Sequence, residues 1–277
     1  MLGAHWPDGA GPTMLSPVSA AAAAGAVATL MSTAFCLSTL ERYRRRRRAH
    51  ELAWTLSMAM FALASLAYFL AAGIGWGPFT FRYFYLFGAI LNVPYLALGT
   101  VYLLGGERRG DRTRRALNLT AAFCAGVVLT APIKASLDVP GIPSGKEVFG
   151  VAPRVMAAVG SGVASVVLIG GAVWSAVKLL QLRRTQANTV VRGGITPGRL
   201  ALTNVLIAVG TVILGTGGAL FSTGDTMVDF GIWLAVGVTA LFAGFLVSNP
   251  SGATERSPYW QELHDLVRAD QPEPATA

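Results

Sequence analysis

Read from its N-terminus, the chain alternates long apolar stretches with short polar ones. Seven apolar stretches of about 18 to 24 residues can be separated, at 18–40, 52–74, 81–104, 116–133, 155–177, 200–221 and 230–248. A helix needs about 20 apolar residues to cross a hydrocarbon core, where only internally hydrogen-bonded structures are tolerated. The pattern predicts an all-α, polytopic membrane protein: a seven-transmembrane-helix bundle over 18–248, an extracytoplasmic segment 1–17 and a cytoplasmic tail 249–277. The first stretch, VSAAAAAGAVATLMSTAF, is only mildly hydrophobic. It is no cleaved signal, because no basic region precedes it and the arginines follow it. The outer loop 134–153 is punctuated by Pro and Gly and is expected to be irregular. In the tail, SPYWQELHDLVRA has a capping Ser257, Pro258 in the first turn and an apolar face of Trp260, Leu263 and Val267, which fits a short amphipathic helix. A tail of this length is expected to hold no catalytic or DNA-binding domain.

Within the spans a second, finer pattern appears. In FRYFYLFGAILNVPYLALGTVYLL, the residues Tyr85, Gly88, Asn92, Tyr95, Gly99 and Tyr102 recur at helical spacing and so share one face. The intervening leucines suit lipid or apolar neighbours. Pro94 lacks a backbone donor, frees the carbonyl of Ile90 and predicts a kink beside Asn92. The sixth span carries a matching stripe of Asn204, Ala208, Thr211, Gly215, Gly218 and Ser222. The seventh adds Trp233, Gly237, Ala240 and Gly244, and the fifth is small almost all round. Two readings are open: helix packing through small residues and interhelical hydrogen bonds, or a neutral, aromatic-lined pocket between the third, sixth and seventh helices. Under either, Tyr85, Asn92, Tyr95 and Tyr102 turn into the bundle, with Asn204, Thr211 and Trp233 on the opposing helices. Asn92 is expected to face the sixth-span stripe or another helix.

Charge changes the picture by giving the bundle a direction. The 277 residues carry a net charge of +8 and a pI near 10.0, yet only 13% are charged, 53% are hydrophobic, and the mean hydropathy is +0.53. Nucleic-acid binding needs a broadly charged, solvated face, and this composition excludes it. The run ERYRRRRRAHELAW, with Arg44, Arg45, Arg46, Arg47 and Arg48, lies between two spans and reads as a topology anchor against anionic lipid headgroups. With the N-terminus outside, 18 of the 22 basic residues fall on the inner side, and only Arg82, Lys134, Lys146 and Arg154 on the outer. That asymmetry predicts N-outside, C-inside. Trp54, Trp76 and Trp233 are placed at the interfaces as an aromatic belt. The excess of arginine over lysine and the Ala/Gly/Val load point to a GC-rich bacterial genome, hence a bacterial plasma (inner) membrane.

Candidate chemistry is sparse. All 22 basic and 14 acidic side chains lie in loops or within about a turn of a span's end, and His5, His50 and His264 lie outside the spans. Ionisable groups at depth mark proton relays, voltage sensors and ion pathways, so these are not expected; nor is a retinal protein, since the seventh span has no lysine. Ser161, in GSG, has no intramembrane histidine to activate it and reads as helix packing. Asp225 and Asp229 sit together at the outer boundary rather than on two spans at depth. His50–Glu51 and His264–Asp265 are adjacent pairs that point apart on a helix. Cys36 and Cys124 fall in apolar runs and read as packing residues. No catalytic residue, metal site or cofactor is assigned.

The block HELAWTLSMAMFALASLAYF…FRYFYLFGAILNVPYLALGTVYLL, His50 to Leu104, resembles a set of uncharacterised bacterial seven-helix inner-membrane proteins and is similar to the membrane halves of some seven-helix sensor kinases. The resemblance implies a seven-helix fold and carries no activity. The expected function is a non-enzymatic sensory or accessory membrane component working through its cytoplasmic loops and tail, with a membrane or cytoplasmic protein partner. The alternatives are a transporter or channel for a neutral or apolar small molecule and, third, a lipid-modifying enzyme.

Overall fold

A computed structural model describes residues 17–139, 141–185, 197–220 and 227–248. Ser222, Asp225, the Asn204 side chain and the tail with its amphipathic segment lie outside the described residues. Eight helices and no strand occur among those described: α1 (Pro17–Arg46), α2 (Ala49–Ile74), α3 (Pro78–Gly105), α4 (Glu107–Thr130), the single turn α5 (Gly145–Val148), α6 (Val151–Thr185), α7 (Pro197–Leu220) and α8 (Met227–Ser248). Five are long and apolar enough to cross a membrane: α1, α2, α3, α6 over Val151–Ser175, and α8. The fold is therefore helical, with five helices of membrane-spanning length among the described residues.

The fourth and sixth apolar stretches are not among these five. The stretch 116–133 leaves the helix after Thr130, because Pro132 forces Ala131 to an extended ψ of 133°. About 15 apolar residues remain helical, or roughly 22 Å at 1.5 Å per residue, while α4 begins earlier in the charged turn from Glu107. In α7 the described apolar part is Val205–Gly215.

Helices α1, α2, α3, α6, α7 and α8 close into a ring, each packed on the next and α8 on α1, while α4 lies outside against α3. The ring is apolar outwards: Leu30 is 69% exposed, Leu119 on α4 77% and Val166 on α6 72%. Inward positions are small, hydroxylated or aromatic. Gly25 and Gly231 leave room for Tyr68, whose hydroxyl donates to the Met227 carbonyl. Gly237 and Gly244 let α8 lie directly on α7. Such an outer surface is costly in water and neutral in hydrocarbon.

At one end, Arg47 and Arg48 alone join α1 to α2, and Arg44 to Arg48 are all exposed. Arg44, Arg45 and Arg46 occupy the last turn of α1, where cations offset the negative end of the helix dipole. At the other end the loop 131–150 folds over the ring and is more ordered than its Pro/Gly content predicts. Leu137, Val148 and Phe149 are buried, the Lys134 amide donates to the Val148 carbonyl at 3.0 Å, and Arg82 donates to the Ala131 carbonyl at 2.6 Å. Trp76 is part of this cap rather than of a lipid-facing belt: it is 8% exposed and its Nε1 donates to the Gly141 carbonyl at 2.9 Å. Trp54 is half-buried, its indole against Gly99, and Trp233 is 39% exposed.

The kink expected at Pro94 takes the form of a π-helical segment, Phe84–Leu91, inside α3. Its ladder runs five residues back, as where the Asn92 amide donates to the Phe87 carbonyl. Pro94 cannot donate to Ile90, four back, or to Ala89, five back. Both carbonyls turn to α6. Ser161 donates to the Ala89 carbonyl at 2.5 Å, and the Ile90 carbonyl lies 3.4 Å from where a Cβ on Gly160 would stand. On the opposite side Ser57 of α2 donates to the Asn92 carbonyl at 2.8 Å. The GSG sequence thus replaces the donor that proline lacks. Ser161→Ala should cost about 1 kcal/mol when Pro94 is present and measurably less after Pro94→Ala, which restores an N–H. Unfolding of the four proteins of this cycle in mixed micelles gives the coupling. Equal costs in both backgrounds would show that Ser161 does not compensate for the proline.

Candidate functional site

The helices around the π segment do not close on one another. A slot of about 850 Å³ lies between α2, α3, α6, α7 and α8. From Arg154 at its mouth to Leu168 at its floor, α6 spans 14 residues, or about 21 Å of helix. The α3 wall is Phe81, Tyr85, Gly88 and Asn92, then Val93 and Leu96. Thr211 and Gly215 of α7 and Phe230 and Leu234 of α8 face it. The volume is within the range of small-molecule sites, roughly 300–1,000 Å³.

The third-span stripe is therefore divided. Tyr85, Gly88 and Asn92 line the slot, as does Thr211 of the sixth-span stripe. Tyr95 and Tyr102 are also buried but turn to α4: Tyr95 donates to Asn118 Oδ1 at 2.8 Å and Tyr102 to Asp111 Oδ1 at 2.7 Å. From Asn92 onward the helix is α, so Leu96, four residues on, shares the slot face, while Tyr95, three residues on, falls on the other edge of that face, towards α4. Trp233 lies on α8 away from the slot. The stripe thus divides, with Tyr85, Gly88 and Asn92 against the slot and Tyr95 and Tyr102 against α4.

The polar groups of the slot differ in how they are satisfied. In this molecule a helical hydroxyl usually donates to the carbonyl four residues back, as Thr29, Ser32, Thr39, Thr55 and Thr211 do. Ser65 does not. It is fully buried, lines the slot, and its Oγ has no hydrogen-bond partner. A buried hydroxyl without a partner costs roughly 1–3 kcal/mol. The mouth carries Lys146, Arg154 and the hydroxyl of Ser144, and among the described residues no acid lines the slot. Among the described residues no group of His, Cys, Asp and Glu is placed to hold a metal ion, and Asp229 is exposed at the start of α8.

A second polar cluster, at the arginine-rich end, is invisible to hydropathy. Glu51, in the first turn of α2, is fully buried. Its Oε1 lies 3.3 Å from both Nε and Nη2 of Arg42, whose guanidinium stacks 4.6 Å from the centroid of Phe245 on α8. His50 does not point away from Glu51 as adjacent helical residues are expected to; its Nε2 is 4.0 Å from the same oxygen. The cluster ties α1, α2 and α8 together directly beyond the floor of the ring. Glu51 Oε2 and Arg42 Nη1 are left without partners.

No family model, curated protein or solved structure matches the chain, so the site is read from its chemistry alone. Removing one member of a buried pair strands the other charge. Arg42→Met should therefore destabilise the bundle by about 3–5 kcal/mol, and adding Glu51→Leu should return most of that. Thermal unfolding of the single and double variants in one detergent checks this. A double variant no more stable than Arg42→Met alone would show that the pair is not a unit.

Proposed function

We propose that this chain is a seven-helix, multi-pass protein of a bacterial plasma membrane, with its N-terminus outside and its tail in the cytoplasm. In this reading α4 and α7 complete the membrane domain beside the five long spans. It is a non-enzymatic sensory or accessory component that holds a small, largely apolar molecule in the slot and acts through its cytoplasmic loops and tail. The observation that carries the reading is the slot itself, with Asn92 and Thr211 in otherwise largely apolar walls. A face that served only to pack helices would be filled. The mouth lies at the end remote from the arginine run, which the basic-residue asymmetry puts outside.

A change felt in the slot has a short route inwards. Met58 and Leu241 form its floor, and Met58, Leu241 and Phe245 belong to one buried cluster with Phe35. Phe245 is the ring on which Arg42 rests. The runner-up, transport of such a molecule, is supported by the depth of the slot but would require this cluster and the Arg42–Glu51 pair to part.

Asn92→Leu separates a ligand site from helix glue. The bundle should lose about 1 kcal/mol of stability or less, while a small molecule that native mass spectrometry finds on the wild-type protein at one per chain should be lost. Wild-type protein free of any such molecule, or a variant that keeps it, would contradict the reading. Uptake of that molecule into sealed vesicles containing the protein would favour transport over sensing.

A further inference from the structure

Taking the slot as a ligand site, we infer that its occupant is an amphipathic anion: a single apolar chain ending in a carboxylate or a phosphate. The inference rests on how charge and apolar surface are distributed. Among the described charged residues, Lys146 and Arg154 alone line the slot, both at its mouth and both exposed. Neither is in a salt bridge with an acid among the described residues. Glu147 is exposed beside Lys146 but does not line the slot. These are two of only four basic residues on a side that the sequence otherwise keeps poor in them, and the loop and α6 bring them to one opening. An arginine and a lysine together match an oxyanion through charge-assisted hydrogen bonds.

Beyond the mouth the walls are hydrocarbon and ring: Phe81, Phe84, Phe61 and Leu234, then Leu96 and Leu168. A compact polar anion would leave that length unfilled, and a cation would meet two like charges at the entrance. An uncharged apolar molecule would fill the walls and make no use of the cations. Val151, Val155 and Ala158 line the slot and are themselves exposed. The slot is therefore open along α6, where bilayer lipid would lie, which allows a chain to enter sideways with its head at the interface.

Protein in phosphatidylcholine nanodiscs, titrated with laurate, dodecyl phosphate, dodecanol or dodecylamine and followed by its melting temperature, tests this. At least one of the two anions should bind ten times or more tighter than the alcohol and the amine, and the stronger of the two identifies the head group. Arg154→Gln with Lys146→Gln should bring the preferred anion down to the level of dodecanol and leave dodecanol unchanged. If that variant does not fold, raising the salt concentration on the wild-type protein should weaken the anion and not the alcohol. Dodecanol binding as tightly as the anions, or anion binding that survives both the substitutions and salt, would overturn this inference and leave the slot a ligand site. No binding of any of the four probes would overturn both.

Discussion

A missing hydrogen-bond donor sets the form of the site. Pro94 lies in the middle of the 28-residue helix Pro78–Gly105, where no water is expected to satisfy a stranded carbonyl. The backbone responds by running a π ladder from Phe84 to Leu91, and the neighbouring helices respond by supplying what the proline cannot. Ser161 gives a proton to Ala89, Ser57 gives one to Asn92, and Gly160 gives room to Ile90. These contacts fix α6 on one side of α3 and α2 on the other. With the helices held at that separation, the space between them remains open as the slot.

The two ends of the molecule use charge differently. At the arginine-rich end, exposed guanidinium groups project from a two-residue turn, while one arginine, Arg42, is withdrawn to neutralise the buried Glu51. At the opposite end two exposed cations, Lys146 and Arg154, stand at the opening of the slot, in no salt bridge among the described residues. The residues between are apolar outwards and small or aromatic inwards, so the ring is held by close backbone approach and hydroxyl-to-carbonyl bonds rather than by a hydrophobic drive between helices. The approach of Trp54 to Gly99 is closer than those of Leu214 to Gly237 and of Tyr68 to Gly25 and Gly231.

Much of this is legible in the sequence, and the misses share physical causes. The helical class, the break at Pro94 and the burial of Asn92, Tyr95 and Tyr102 follow from composition and a 3.6-residue period. The division of the stripe does not, because spacings of three and four both count as one face, and only the neighbouring helix decides that Tyr95 falls on the edge that meets Asn118. Glu51 looks like an ordinary helix-start carboxylate; its burial depends on α1 and α8 meeting above it. The order of the loop 131–150 comes from Phe149 and Leu137 finding the aromatic end of α3, a long-range match that local Pro/Gly content hides. The shortening of the fourth stretch was readable, since Pro132 bars helix at Ala131, but a hydropathy window averages over it.

Thiol accessibility along α3 tests the central claim, that Asn92 faces an open slot while Tyr95 packs away from it against α4. On a background with Cys36→Ala and Cys124→Ala, Asn92→Cys and Tyr95→Cys are each exposed to a small hydrophilic thiol reagent in nanodiscs. The account predicts ready labelling at position 92 and protection at position 95, packed against α4. Protection at 92 with labelling at 95 would contradict it, as would equal protection of both, which would mean that the face above Pro94 is closed.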